Sequence, residues 1–133
     1  MRYRLLFVCT GNTCRSPLAE ALAEERGVTA ESAGVAAQRG DGAAPYAVRA
    51  LRTARGLDLS HHAPEDVSNL DLGAFDRIVA MDPTVAQQLR AEHDVDADLL
   101  VTWTIPDPYG GTLADYRYCL EQVDAALDRL LET

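Results

Sequence analysis

Long apolar runs are missing from this chain. Leu5-Leu6-Phe7-Val8 follows the charged start Met1-Arg2-Tyr3-Arg4 and mimics a secretory signal, but it is far too short. No other stretch approaches the roughly 20 apolar residues that a membrane helix needs. A soluble, cytoplasmic protein that does not engage membranes is expected. Positive charge is also scarce: 12 basic residues against 21 acidic ones give a net charge of −9. Such a field repels phosphate backbones and argues against nucleic acid as a partner. Cysteine is limited to Cys9, Cys14 and Cys119, an odd number without C-x-x-C spacing, and no H-E-x-x-H occurs. Neither a disulfide framework nor a zinc site is indicated, no metal or other cofactor is expected, and the simplest setting is a reducing compartment. Repeats, low-complexity tracts and linkers are absent too. The 133 residues, 47% of them hydrophobic, therefore read as one domain spanning 1–133 around a single core.

What is present is an alternation of short apolar runs and amphipathic stretches. Leu5 to Val8 ends abruptly in the polar Cys9-Thr10-Gly11-Asn12-Thr13, as a buried strand entering a loop would. Ser16-Pro17 predicts a helix start, with the serine as cap and the proline at the first position, running through Leu18 and Leu22 to Gly27. Glu31 to Val35 predicts a second strand, followed by a glycine-rich loop (Gly40, Gly42) and a helix from about Pro45 to Arg55. Arg77 to Met81 predicts a third, buried strand. Asp82-Pro83 opens a helix toward Glu92, and Leu99 to Val101 predicts a fourth strand. Beyond the loop from Ile105 to Gly111, Thr112 and Asp115 have capping-box spacing. Leu113, Tyr116, Leu120, Val123, Leu127 and Leu130 then mark one apolar face of a last helix, with Cys119 also toward the core. Strands alternating with helices predict a single-domain, three-layer α/β fold: a four-stranded parallel sheet with helices on both faces.

In such sheets ligands bind at the carboxyl ends of strands, where Cys9-Thr10-Gly11-Asn12-Thr13-Cys14-Arg15-Ser16 falls. A loop wrapped ahead of a helix N-terminus aims several backbone N–H groups at one point, and the helix dipole adds positive charge. An acidic chain needs a local cradle of this kind to hold an anion. The same field favours the thiolate of a cysteine at the loop's start, the nucleophilic form. Arg15 supplies a planar fork for two phosphate oxygens, and Ser16 a hydroxyl for the thiolate. The Gly-Lys-Ser/Thr ending of a Walker loop is missing, which disfavours nucleotide hydrolysis. Backbone donors and an arginine provide the stabilisation that a metal would otherwise give. Asn12 suits a left-handed turn. Asp107, in Ile-Pro-Asp-Pro-Tyr, has a proline-restricted backbone that fits an acid–base role and a plain turn alike.

A bare C-x5-R pattern is weak, but here it extends from Phe7 through Glu20, and Asp107-Pro108-Tyr109 precedes the last helix. The combination resembles the low-molecular-weight protein tyrosine phosphatase family. The resemblance spans nearly the whole chain and includes Ser32-Ala33-Gly34, the Gly-Leu-x-Leu-Ser-His run ending at His61, and Ala80-Met81-Asp82. It implies a protein phosphatase in which Cys9 attacks phosphorus to give phosphocysteine, Arg15 orients the phosphoryl group and Asp107 protonates the leaving atom. Asp107 then activates the water that hydrolyses the intermediate. It further implies that Thr10, Gly11, Asn12, Thr13 and Cys14 bind phosphate or other oxyanions and that Tyr109 flanks the substrate. Ser16 and His61 would support Asn12 in holding the loop's shape. Cys14 would form a reversible disulfide with Cys9. Phosphorylated proteins are the implied partners. His62 and His93 read as surface residues.

Phosphotyrosine-specific members of the resembled family usually carry a bulky aliphatic residue where this chain has Thr13, and often a second aromatic where it has Gly110. Thr13, Asp107-Pro108-Tyr109-Gly110-Gly111 and Ser32-Ala33-Gly34-Val35 together look like its protein-arginine phosphatase branch, so the resemblance implies phosphotyrosine or phosphoarginine on proteins as the substrate, with both open. Tyr109 suits a phenyl ring and a guanidinium plane equally. Arsenate reduction on the same loop needs additional cysteines after the third strand, and Met81-Asp82-Pro83-Thr84 has none. A non-catalytic phosphate-binding module would not need both Cys9 and Asp107.

Overall fold

Four apolar residues in a row can all be buried only if a strand is covered on both faces, and the first strand shows this directly. The computed structural model describes residues 3–37 and 42–132. Leu5, Leu6, Phe7 and Val8 lie in β1 (Arg4–Cys9) and have no solvent exposure. Alternate side chains point to opposite faces. Leu5 and Phe7 join one apolar cluster, and Leu6 and Val8 another.

The chain continues through α1 (Arg15–Glu25), β2 (Thr29–Gly34), α2 (Pro45–Arg55), β3 (Arg77–Ala80), α3 (Pro83–Glu92), β4 (Leu100–Thr102) and α4 (Leu113–Leu131). All strand pairs are parallel, in the order β2-β1-β3-β4. The first cluster takes Leu18 and Leu22 of α1, Leu51 of α2 and Val123 and Leu127 of α4. The second takes Val85 and Leu89 of α3 with Val67 and Phe75 from the segment before β3. Helices therefore cover both faces, as the alternation predicts. Each fully buried Leu, Val or Phe contributes about 1.5–3 kcal/mol relative to exposure.

Proline at the first helical position opens α2 and α3, and Gly56 ends α2 in a left-handed conformation (φ 68°). Thr112 and Asp115 form the expected capping box at the start of α4. The start of α1 departs from expectation. It begins at Arg15, Cys14 occupies the cap position, and no side chain caps it. Ser16 lies inside the first turn because its hydroxyl is engaged by Cys9 and Asn12 instead. Gly40 of the glycine-rich loop lies outside the described residues, whereas Gly42 has a left-handed backbone (φ 68°).

Candidate active site

Cys9 ends β1, a central strand, so the chain leaves the sheet into the loop Thr10–Cys14 with strands on either side. The loop's carbonyls are tied outward. Val35 N–H donates to the Cys9 carbonyl at 3.0 Å, Ala36 N–H to Thr10 at 2.9 Å, Ala44 N–H to Thr13 at 2.8 Å and Leu18 N–H to Cys14 at 3.2 Å. In a trans peptide the N–H points opposite to the C=O. The N–H groups of Thr10, Gly11, Cys14 and Arg15 therefore turn to the other, concave side. This nest opens into a cleft of about 480 Å³ lined by Cys9, Thr10, Gly11, Thr13, Cys14 and Arg15, with Ala36, Gly42–Pro45, Asp107, Tyr109 and Tyr116 around them.

The Cys9 sulfur receives Asn12 N–H at 3.2 Å and lies 2.9 Å from the Ser16 hydroxyl. Asn12 is left-handed (φ 58°), as expected, and fully buried. It does not line the cleft. Its amide donates to Ser16 Oγ at 2.9 Å and Ser32 Oγ at 3.0 Å, and its Oδ1 accepts Glu65 N–H at 2.9 Å.

His61, expected to support Asn12, does not reach it. Its side chain is 93% exposed and faces Asp58 at 3.8 Å. His62, expected at the surface, takes that place: it is half-buried, and its Nε2 lies 2.8 Å from the Asn12 carbonyl. That acceptor requires the proton on Nε2. The cause is the turn in which His62 N–H bonds the Leu59 carbonyl, bringing His62 inward while His61 points out. Burial pushes His62 below its ordinary value of 6.5, against the opposing pull of the Asn12 bond.

Arg15 is 2% exposed. Its Nη1 donates to Asp82 Oδ2 at 2.7 Å and to the Ile105 carbonyl at 2.9 Å. Burial works most strongly against its charge, but the bond to Asp82 and the attraction of Cys9, Asp107 and Asp82 together outweigh it and hold the guanidinium more firmly protonated than usual. Burial likewise opposes ionisation of Asp82, yet Arg15 and the Val85 N–H keep that carboxylate below its ordinary range. Among the described residues, Arg15 Nε is the one buried side-chain N or O atom without a partner. A buried donor at the wall of an amide nest fits an oxyanion acceptor.

Asp107 Oδ2 lies 3.8 Å from Arg15 Nη2, and its Oδ1 accepts Tyr109 N–H at 3.1 Å. The Asp107 side chain is 48% exposed, and Tyr109 stands 76% exposed at the rim. The structure thus brings Cys9, Arg15 and Asp107 to one cleft. Residues without an assigned role in the sequence reading are also there. Tyr116 is one of the apolar face of α4, yet its phenol oxygen accepts the Cys14 thiol at 3.7 Å. Asp82 is an evident helix cap whose second oxygen holds Arg15. Ala36, Ala43 and Ala44 form a wall of small residues.

The sequence profile described as low molecular weight phosphotyrosine protein phosphatase matches residues 4–133. A protein-arginine-phosphatase of Geobacillus stearothermophilus is 34% identical, covering 99% of this chain and 96% of its own. A low molecular weight protein-tyrosine-phosphatase of Streptomyces coelicolor is 36% identical, covering 98% and 93%. The crystal structure of a low molecular weight protein tyrosine phosphatase from T. tengcongensis superimposes with a TM-score of 0.90 at 35% identity over 98% of both chains. The chain belongs to the low molecular weight phosphotyrosine protein phosphatase family.

Proposed function

We propose that this chain is a protein phosphatase in a reducing, cytoplasmic setting, acting as one domain, and that phosphoarginine is the side chain its mouth fits best. The observation that carries the covalent mechanism is the Cys9 sulfur, held by the Asn12 N–H and the Ser16 hydroxyl in the cleft that Arg15, with its unpartnered Nε, also lines. The substrate phosphate sits in the nest of Thr10, Gly11, Thr13, Cys14 and Arg15, with Asn12 holding the loop from behind. The sulfur attacks phosphorus, and the bond to the side-chain nitrogen breaks as Asp107 delivers its proton there. Asp107, now a carboxylate, takes a proton from water as the water oxygen attacks phosphocysteine. Phosphate and the free thiolate result. Arg15 stabilises the transferring group in both steps.

Three features favour a guanidinium leaving group. Thr13 presents a polar side chain at the cleft wall, the lining residues Ala36, Ala43 and Ala44 carry only methyl groups, and the half-exposed Asp107 carboxylate complements a cationic product. Tyr109 favours a second reading, phosphotyrosine, since its exposed ring also stacks on phenyl. The relatives from Geobacillus stearothermophilus and Streptomyces coelicolor carry the two corresponding names.

Initial rates on matched phosphoarginine and phosphotyrosine peptides, with Cys9→Ser as control, test the proposal. A higher kcat/KM on phosphoarginine, abolished in the control and shifted toward phosphotyrosine by Thr13→Ile, is expected. Hydrolysis that survives Cys9→Ser would remove the covalent mechanism. A preference for phosphotyrosine untouched by Thr13→Ile would establish the second reading.

A further inference from the structure

Behind the loop, four hydrogen bonds run from the Cys9 sulfur to a carboxylate that the reaction above does not use. Ser16 Oγ lies 2.9 Å from Cys9 Sγ, Asn12 Nδ2 donates to Ser16 Oγ at 2.9 Å and to Ser32 Oγ at 3.0 Å, and Ser32 Oγ donates to Glu20 Oε1. Asn12, Ser16, Ser32 and Glu20 do not line the cleft. Asn12 and Ser16 are fully buried and Ser32 is 7% exposed.

The direction of this chain follows from what each group can do. An amide nitrogen only donates, and both hydrogens of Asn12 Nδ2 are committed to the two serines. Each serine keeps one proton. Ser32 donates its hydrogen bond to Glu20, and Ser16 has two acceptors within reach, the sulfur at 2.9 Å and the Ala33 carbonyl at 3.4 Å. Without the Glu20 oxygen, the Ser32 proton would be left in a buried site with no acceptor, a costly state. Reversing the Asn12 amide supplies that acceptor at the cost of turning Nδ2 onto the Glu65 N–H, and Asn12 Oδ1 then faces Ser16 and draws the Ser16 proton off the sulfur.

We propose that Glu20 is a positioning residue for the nucleophile: by accepting from Ser32 it holds the Asn12 amide together with the Glu65 N–H on Oδ1, and so keeps the Ser16 hydroxyl on Cys9. Burial pushes the Glu20 carboxyl above the ordinary range and Glu31 adds repulsion, while the hydrogen bonds with Ser32 and Glu24 pull the other way.

This inference rests on Cys9 being the nucleophile, and the experiment separates the two. Glu20→Ala, Glu20→Gln, Ser32→Ala and the Glu20→Ala/Ser32→Ala pair are compared by kcat and KM on p-nitrophenyl phosphate. The iodoacetate alkylation rate of the Cys9 peptide and the thermal midpoint are measured alongside. Glu20→Ala is expected to lower kcat and the alkylation rate about 10-fold, with KM within about 2-fold, the size of one lost bond to a charged group. Glu20→Gln, whose amide oxygen still accepts from Ser32, is expected to recover most of that loss. The pair is expected to be no worse than Ser32→Ala alone, because both act along one path. Wild-type turnover with Glu20→Ala unchanged, equal losses in Glu20→Gln and Glu20→Ala, or additive losses in the pair would each overturn the inference. Turnover that survives Cys9→Ser would instead overturn the reading beneath it. If Glu20→Ala fails to fold, Glu20→Leu, which fills similar space without an acceptor, takes its place alone and in the pair with Ser32→Ala.

Discussion

Asp82 holds Arg15 with one carboxylate oxygen and helix α3 with the other. Its Oδ2 accepts from Arg15 Nη1 at 2.7 Å, while its Oδ1 accepts Val85 N–H at 2.8 Å. The Arg15 fork is therefore aimed from behind, with Nε and Nη2 left toward the cleft. Asp82→Asn keeps an oxygen for the cap and weakens the grip on the guanidinium. A fall of about 10- to 100-fold in kcat/KM is expected, the size of one charge-assisted bond, with little change in thermal midpoint. Unchanged kinetics would show that Arg15 is aimed by the Ile105 carbonyl alone.

Gly34 ends β2 where the loop passes closest. A Cβ there would lie 2.5 Å from the Thr10 carbonyl oxygen and 3.0 Å from the Asn12 nitrogen, both backbone atoms that cannot step aside. Gly34→Ala is expected to displace the Thr10–Asn12 peptides and to weaken competitive inhibition by inorganic phosphate by more than about 10-fold, since each displaced amide loses a charge-assisted bond. An inhibition constant equal to wild type would mean that the nest forms without this close approach.

His62 binds its proton less readily in the folded protein than the ordinary value of 6.5 implies. Below that value the unfolded chain takes up the proton first, so the stability linked to His62 is complete above pH 6.5 and lost as pH falls through the window beneath it. Wild type is expected to lose more thermal stability between about pH 7.5 and about pH 5.5 than His62→Gln, whereas His61→Gln follows wild type. Parallel curves for wild type and His62→Gln would remove His62 as the titrating group.

Cys14 lines the same cleft as Cys9 and is a free thiol. Burial raises it above its ordinary range, with the hydrogen bonds to Thr13 and Tyr116 pulling the other way. Peroxide would oxidise Cys9 to a sulfenic acid, and the Cys14 thiolate would displace water from it to close a disulfide. Wild type should then recover under dithiothreitol after brief peroxide treatment, faster closure accompanying higher pH, and Cys14→Ser should recover less. Equal recovery would exclude Cys14 as the protecting thiol.

Much of this was legible in the residues. Leu5 to Val8 announced a strand covered on both faces, and Cys9 through Ser16 announced an anion loop, because both signals are contiguous. Ser16-Pro17 carries a local capping signal that loses to a tertiary demand, the bonds from Ser16 to Cys9 and Asn12, so α1 begins at Arg15 with Ser16 inside its first turn. His61 and His62 differ only in the turn that presents them, so the residue pattern alone does not say that His62 is the one that reaches Asn12. Asp82 and Glu20 gave no local sign of their partners, which lie 67 and 12 residues away.

The outward ties of the loop come from remote stretches of chain: Ala36, Ala44, His62, Glu65, Asp82 and Ile105. Local turn preference alone cannot assemble it, since most of its struts arrive only after long stretches of sequence have closed. Enzymatic turnover is consequently a clock for the last stage of folding. On dilution from urea, far-ultraviolet ellipticity should return ahead of hydrolysis, and the lag between them times the moment at which the distant struts lock.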